Sequence, residues 1–151
     1  MAGGAVPVAS ASPVVTIAIP GTPRGKGRAR FVRATGRAYT PAQTESYEAV
    51  IRQTAAGAMC GAAPMAGPVR LTMRVVVPIP PSWTKKAKAA ALTGEKRPTG
   101  KPDYDNFAKL LGDACNGIVY RDDSQIWRAT VEKVYGERPC VVATFEETAE
   151  R

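Results

Sequence analysis

Every second residue of 69–77 is apolar, and arginine or threonine stands between these residues as far as residue 75. A period of two is typical of a strand that buries one face. Three further strands are predicted from runs rich in β-branched residues, at residues 14–19, 126–135 and 140–145. Two short runs around Gly36 predict a small hairpin, at residues 31–33 and 37–39.

Two helices are predicted from their start signals. Thr40 as N-cap and Pro41 in the first turn begin a helix that extends to about Met59. Its modest apolar stripe consists of Tyr47, Val50, Ile51 and Thr54. A shorter helix, rich in lysine and alanine, starts at residues 82–84 and continues through Leu92.

A third helix, from about Tyr104 to Asn116, has the clearest apolar face. The residues of that face are Phe107, Leu110, Leu111 and Ala114. Strands and helices together predict an α/β (α+β) fold, a single compact domain in which a mixed, mostly antiparallel sheet packs against helices. The length of 151 residues suits one domain. We place that domain at residues 14–147, with tails at 1–13 and 148–151.

Charge and composition narrow the function classes. The chain has 21 lysines and arginines against 13 acidic residues, a net charge of +8, which predicts attraction to polyanions such as nucleic acid. It has no histidine, so catalysis by Ser-His-Asp or Cys-His groups is excluded. The commonest zinc ligand is absent for the same reason.

The three cysteines are far apart and form no CxxC pair. We therefore expect neither a zinc site nor a disulfide framework, and predict small buried thiols in a reducing cytoplasm. No apolar run approaches the ~18 residues of a membrane span. The first 13 residues also lack the basic start of a signal peptide.

Basic residues fall into two groups that are candidates for DNA phosphate contacts. The first group lies in a Gly-rich loop and the hairpin after it, and comprises Arg24, Lys26, Arg28, Arg30 and Arg33. The second group lies between residues 85 and 101, and comprises Lys85, Lys86, Lys88, Lys96, Arg97 and Lys101. The alternative for each is a solvated surface charge. Phe31 and Tyr39 are either wedges for branched DNA or core residues.

The segment that carries chemistry is at the predicted start of the third helix. Asp103 and Asp105 are two residues apart, and such close carboxylates suit a hard divalent cation such as Mg²⁺. Lys109 follows one turn later on the same face, where it could stabilise charge on a phosphate. The alternatives are a helix N-cap for Asp103, a first-turn acid for Asp105, and a surface ion pair of Lys109 with Asp105 or Asp113.

A third carboxylate must come from a distant segment. The pair Asp122 and Asp123 precedes a predicted strand and could supply it, although an acidic turn is the plainer interpretation. An acidic cluster in so basic a chain favours a metal that meets phosphate.

These residues resemble a known family. The sequences KPDYDNFAK at residues 101–109 and DACNGIVYRDDSQI at 113–126 are similar to the RusA family of phage- and prophage-associated Holliday-junction endonucleases. The similarity continues through GKGRARF at 25–31 and YTP at 39–41, and it covers most of the chain from Val14 onward. The segment at 82–100 is longer than in compact members of the family.

The resemblance implies three metal-binding aspartates and one essential lysine. By position in the motifs these are Asp103, Asp105, Asp123 and Lys109, with Asp122 as the alternative to Asp123. It further implies a homodimer that resolves four-way junctions by paired symmetric nicks in recombination and repair. The expected cofactor is Mg²⁺, with Mn²⁺ as a substitute, and the expected location is the cytoplasm, at nucleoid-associated DNA.

Two competing functions remain open at this point. One is a related metal nuclease that cuts other branched or flapped DNA. The other is a non-catalytic basic DNA-binding module that tolerates an acidic turn. An RNA-binding protein is disfavoured because the chain has no RNP-type aromatic motif.

Overall fold

A computed structural model describes residues 13–25, 30–32, 37–39 and 42–149 of the chain. Six strands and three α-helices form in these ranges. In chain order they are β1 (Val14–Pro20), β2 (Arg30–Val32), β3 (Arg37–Tyr39), α1 (Ala42–Met59), β4 (Val69–Pro78), α2 (Lys85–Leu92), α3 (Tyr104–Ala114), β5 (Ile126–Gly136) and β6 (Cys140–Glu147). A short 3₁₀ helix, Asp123–Gln125, precedes β5.

All the predicted strands and helices are confirmed, with small shifts at their ends. β2 and β3 pair antiparallel, as expected of the hairpin. Thr84 is the N-cap of α2, and its side chain accepts a hydrogen bond from the Ala87 N–H. The predicted turn residue Gly36 and the predicted helix start at Thr40 and Pro41 lie outside the described residues.

The main sheet has four strands in the order β1-β6-β4-β5. β4 pairs parallel to β5 and antiparallel to β6, so the sheet is mixed, as predicted. β5 and β6 follow each other in the sequence, but β4 lies between them. The link between them therefore passes the end of β4. Gly136, the last residue of β5, lies so close to β4 that an added Cβ would be 2.5 Å from Val76 Cγ1.

One face of this sheet forms the core with α1 and α3. The odd-numbered residues of β4 are buried on that face, together with residues of β1 and β6 such as Ile17 and Phe145. Tyr47 of α1 meets Phe107 of α3 edge to face, with ring centroids 6.3 Å apart. The fold is thus two layers, helices over a sheet.

The prediction that Val50 belongs to the buried stripe of α1 is wrong, because its side chain is 42% exposed. The buried positions follow a spacing of four, at Tyr47, Ile51, Ala55 and Met59. This row runs along one side of the helix and leaves Val50 beyond its edge.

The prediction of buried thiols holds for Cys115, whose pKa is raised by burial to about 12. It is wrong for Cys60, which is exposed in the turn after α1, while Cys140 is partly buried. All three are free thiols. Within the described ranges, no helix combines the length and apolar character needed to cross a bilayer.

Two glycine substitutions should test this packing with opposite signs. Gly57→Ala in α1 meets no atom within 4 Å and should stabilise the protein by about 0.5–1 kcal/mol through helix propensity. Gly136→Ala should destabilise it by about 1–3 kcal/mol, because Val76 is β-branched and cannot turn away freely. Urea unfolding of both variants measures the difference. Equal effects would mean that the chain does not pass tightly over β4.

Candidate active site

Helix α3 carries the first acidic segment and is held firmly by its apolar face. Phe107, Leu110, Leu111 and Ala114 are buried, as predicted from their spacing. Asp105 and Lys109 are on the exposed side, four residues apart. Burial of one face thus orients the other toward solvent.

Asp103 stands at the N-cap position of α3 but does not cap it. Its backbone is extended and its carbonyl accepts a hydrogen bond from the Phe107 N–H, whereas its carboxylate makes no capping hydrogen bond. Asp105, in the first turn, is also exposed. Neither carboxylate has a hydrogen bond or ion pair to any of the described residues. Both are therefore accessible to a ligand from solvent.

Lys109 has one weak ion pair, with Asp113 at 3.9 Å between Nζ and Oδ2. Of the two pairings considered from the sequence, the structure contains the one with Asp113. The Lys109 side chain is 66% exposed, and a pair of this length and exposure contributes little stability. The ammonium can therefore move away from Asp113 at small cost.

The second acidic segment folds back onto α3. The Asp123 N–H donates to Asn116 Oδ1 at 2.8 Å, and the Tyr120 hydroxyl donates to the Gly112 carbonyl at 2.7 Å. Gly112 has no side chain at this contact, and a Cβ there would lie 3.5 Å from Asp123 Oδ2. The Asp123 carboxylate thus packs directly over α3.

Asp122 has a structural role. Its carboxylate accepts from the Ser124 N–H at 3.0 Å, and its own N–H donates to Gln125 Oε1 at 2.9 Å, which completes a capping box. Hydrogen bonds from Ser124 lower the pKa of Asp122. Gln125 in turn donates to the carbonyls of Met65 and Gly67, both at 2.9 Å. Of the two adjacent acids, Asp123 is the one that faces α3.

The pKa of Tyr120 is affected by burial and by the acidic residues around it. Burial raises its pKa above the ordinary value, and nearby Cys115, Asp123, Asp113 and Asp122 raise it further. The phenol therefore stays protonated and remains a donor to the Gly112 carbonyl.

The carboxylates share one face of α3 but do not meet at one point. Gly112, which lies beneath Asp123, is seven residues after Asp105, which is two turns along the same face and roughly 10 Å along the axis. Among the described residues, no three acidic or thiol side chains are close enough to hold one ion. The donor set has the right chemistry for a hard divalent cation, since it consists of carboxylate oxygens.

The basic Gly-rich loop begins beside the acidic segment. At Gly25, an added Cβ would lie 2.7 Å from Asn106 Nδ2 and 3.5 Å from Pro102 Cβ. Arg24 is exposed there. Lys26, Arg28 and Arg33 lie outside the described residues, and for Arg30 only the backbone of β2 is described. The start of the loop therefore lies against Asn106, the residue that follows Asp105.

The second basic group lies around α2. Lys85, Lys86, Arg97 and Lys101 are exposed, and Lys88 is partly buried. Lys96 Nζ lies 4.1 Å from the centroid of the Trp83 ring, which packs edge to face on Tyr135 at 5.2 Å. Trp83 is thus a packing residue at the start of this segment.

Three residues of the site were not identified from the sequence. Gly112 lies beneath the Asp123 carboxylate, Asn116 holds the Asp123 backbone, and Tyr104 exposes 65% of its surface between the two acids. A glycine inside a strongly amphipathic helix was a signal for the first. The other two give no such signal, because Asn116 resembles an ordinary helix end.

Comparison with known proteins agrees with the motifs. A profile of the family described as Endodeoxyribonuclease RusA matches residues 20–145. The chain is also 42% identical over 85 residues to the uncharacterized protein YqaN of Bacillus subtilis (strain 168). That match covers 55% of this chain, and the chain spans 60% of the length of YqaN. Since the family profile extends over both acidic segments and nearly the whole described fold, the chain belongs to the RusA endodeoxyribonuclease family.

Proposed function

We propose that this protein is a Mg²⁺-dependent endodeoxyribonuclease that resolves four-way DNA junctions by paired symmetric nicks. It acts as a homodimer on branched DNA in the cytoplasm, in recombination or repair. Membership of an endodeoxyribonuclease family supports the DNA-cutting activity. The net charge of +8 supports a polyanionic substrate.

One observation carries the proposal. Asp103 and Asp105 present carboxylates without partners among the described residues, and Lys109 lies on the same helix face. Partnerless acids close together repel each other and gain stability from a bound cation. A protein that only bound DNA would gain nothing from acids at such a site, because they repel phosphate.

Asp103, Asp105 and Asp123 would supply the oxygen ligands, and Mn²⁺ would replace Mg²⁺ on the same oxygens. Because no three acids of the described residues lie close enough to hold one ion, binding of one cation by all three requires the second acidic segment to move toward the start of α3. Such an ion supplies Lewis-acid polarisation of a phosphate when bound. The packing of Asp123 over Gly112 favours it over Asp122, whose oxygen already accepts from Ser124.

Lys109 would neutralise the charge that develops on the phosphate and on the leaving 3′-oxygen. Its pairing with Asp113 is long and exposed, so little stability is lost when it turns toward DNA. Asp113 keeps the ammonium near α3 until then.

The two basic groups would hold the arms of the junction on either side of the acids. The loop group includes Arg24, Lys26, Arg28, Arg30 and Arg33. The group around α2 includes Lys85, Lys86, Lys96, Arg97 and Lys101. Such contacts with phosphates position DNA without reading its sequence.

Cleavage of a labelled four-way junction tests the proposed function directly. Paired nicks should appear with Mg²⁺ and disappear with a chelator. Asp103→Asn and Asp105→Asn should abolish the nicks, while junction binding persists or strengthens because repulsion of phosphate falls. Flapped and linear duplexes, run alongside, show whether the junction is preferred. Wild-type cutting by either variant would refute this assignment of the site.

The two adjacent acids of the second segment provide a matched comparison. Asp123→Asn should reduce cleavage at least a hundredfold, because a ligand oxygen is replaced by an amide. Asp122→Asn should cleave almost normally, because asparagine is also an effective cap. Initial rates at saturating junction measure both. The reverse order of effects would assign the third ligand to Asp122.

Replacement of Lys109 should separate catalysis from binding. Lys109→Ala should lower the rate constant at saturating DNA by roughly 10²–10³-fold, as expected for the loss of one charge-stabilising group. The dissociation constant for the junction should change less than threefold. Lys109→Arg, which keeps the charge, is the control and should retain more activity. A large loss of affinity with normal turnover would make Lys109 a binding residue.

A further inference from the structure

Strand β5 is an exposed edge of the main sheet. It has 11 residues and no proline, and it pairs only with β4 among the described residues. An edge of this length presents a row of unpaired backbone groups to any other strand. The opposite edge, β1, is shorter, with 7 residues, and ends in Pro20.

Within one chain, a basic residue of β5 faces another basic residue on β4. Arg128 lies directly opposite Arg70 of β4, and Arg70 is already paired with Glu146 of β6. Like charges at directly opposite positions are destabilising. Arg128 itself has no ion pair with the described residues. It is thus a cation with no ion-pair partner in the described part of the chain.

Four residues further along the same face, the Glu132 carboxylate can still accept further hydrogen bonds. It lies opposite Arg74, with 3.6 Å between Arg74 Nε and Glu132 Oε1, and its side chain is 56% exposed. A carboxylate has two oxygens and can accept from a second guanidinium. One edge therefore carries an unpaired cation and an acid with free acceptor positions.

We propose that β5 pairs antiparallel with β5 of a second copy of this chain, about a two-fold axis at Thr130. This places Arg128 of each copy opposite Glu132 of the other, and Glu132 then lies between Arg74 and the incoming Arg128. The interaction is isologous, so each favourable pair occurs twice. The inference rests on the homodimer of the proposed function and locates its interface, in which the two sheets become continuous.

The opposite face of β5 agrees with this register. Ala129 is exposed and Val131 is only partly buried, and the two-fold axis places Ala129 of one copy opposite Val131 of the other. A slip of one residue would turn every side chain to the wrong face. A slip of two would leave Arg128 without its acid. β1 has no charged residue to select a register.

Reciprocal charge reversal tests the interface. Arg128→Glu and Glu132→Arg should each raise the dimer dissociation constant about tenfold or more, because two attractive pairs become repulsive. An equimolar mixture of the two variants should form a heterodimer with near wild-type affinity, since every facing pair is again opposite in sign. Sedimentation velocity over a concentration series, without DNA, measures the dimer dissociation constant of the wild type, of each variant and of the mixture.

Stability controls keep the result interpretable. Arg128→Glu places an acid opposite Arg70, so its thermal midpoint should not fall. Arg52→Glu makes the same charge change on the exposed side of α1 and should leave the dimer unaffected. If Glu132→Arg folds poorly, Glu132→Gln should still weaken the dimer severalfold.

Three outcomes would overturn the inference. Variants that dimerise like wild type, or a mixture that fails to restore the dimer, would rule out this interface while leaving a homodimer and its junction cleavage intact. A wild-type protein that is monomeric throughout would refute the interface and the proposed homodimer together. Mg²⁺-dependent cutting is assayed separately. Absence of cutting would refute the nuclease assignment alone and would not bear on the interface.

Discussion

The contact between α3 and the segment after it is the constraint on which the site depends. Tyr120 donates to the Gly112 carbonyl, Asn116 accepts from the Asp123 N–H, and the Asp123 carboxylate lies over Gly112. Without these bonds, the two acidic segments would be separate features of the surface. With them, acids distant in sequence share one helix face.

The site opposes the charge of the rest of the chain. A protein of net charge +8 exposes two acids at the start of α3 and gives them no partners among the described residues. The basic loop begins against Asn106, beside those acids. Positive charge that attracts DNA and negative charge that suits a cation are thus adjacent, which is the combination that phosphodiester chemistry needs.

The main sheet packs against the helices that carry the site, and its edge strand β5 pairs on one side only among the described residues. Because β4 pairs parallel with β5, the link to β6 passes the end of β4, where a Cβ on Gly136 would clash with Val76. β5 therefore lies at the border, with Arg128 next to Arg70. An edge with self-complementary charges is suited to a second copy of itself.

The hydrophobic periodicity of the sequence determined the strands and the buried face of α3, and the type and spacing of charged residues determined the acidic motifs. Both depend only on positions along the chain. Only the tertiary structure decided that β4 separates β5 from β6, that Val50 is exposed, and that Asp122 caps while Asp123 faces α3. Adjacent identical acids have the same local signals. Their roles diverge because the contacts that distinguish them, with Ser124 for one and Gly112 for the other, form when segments pack.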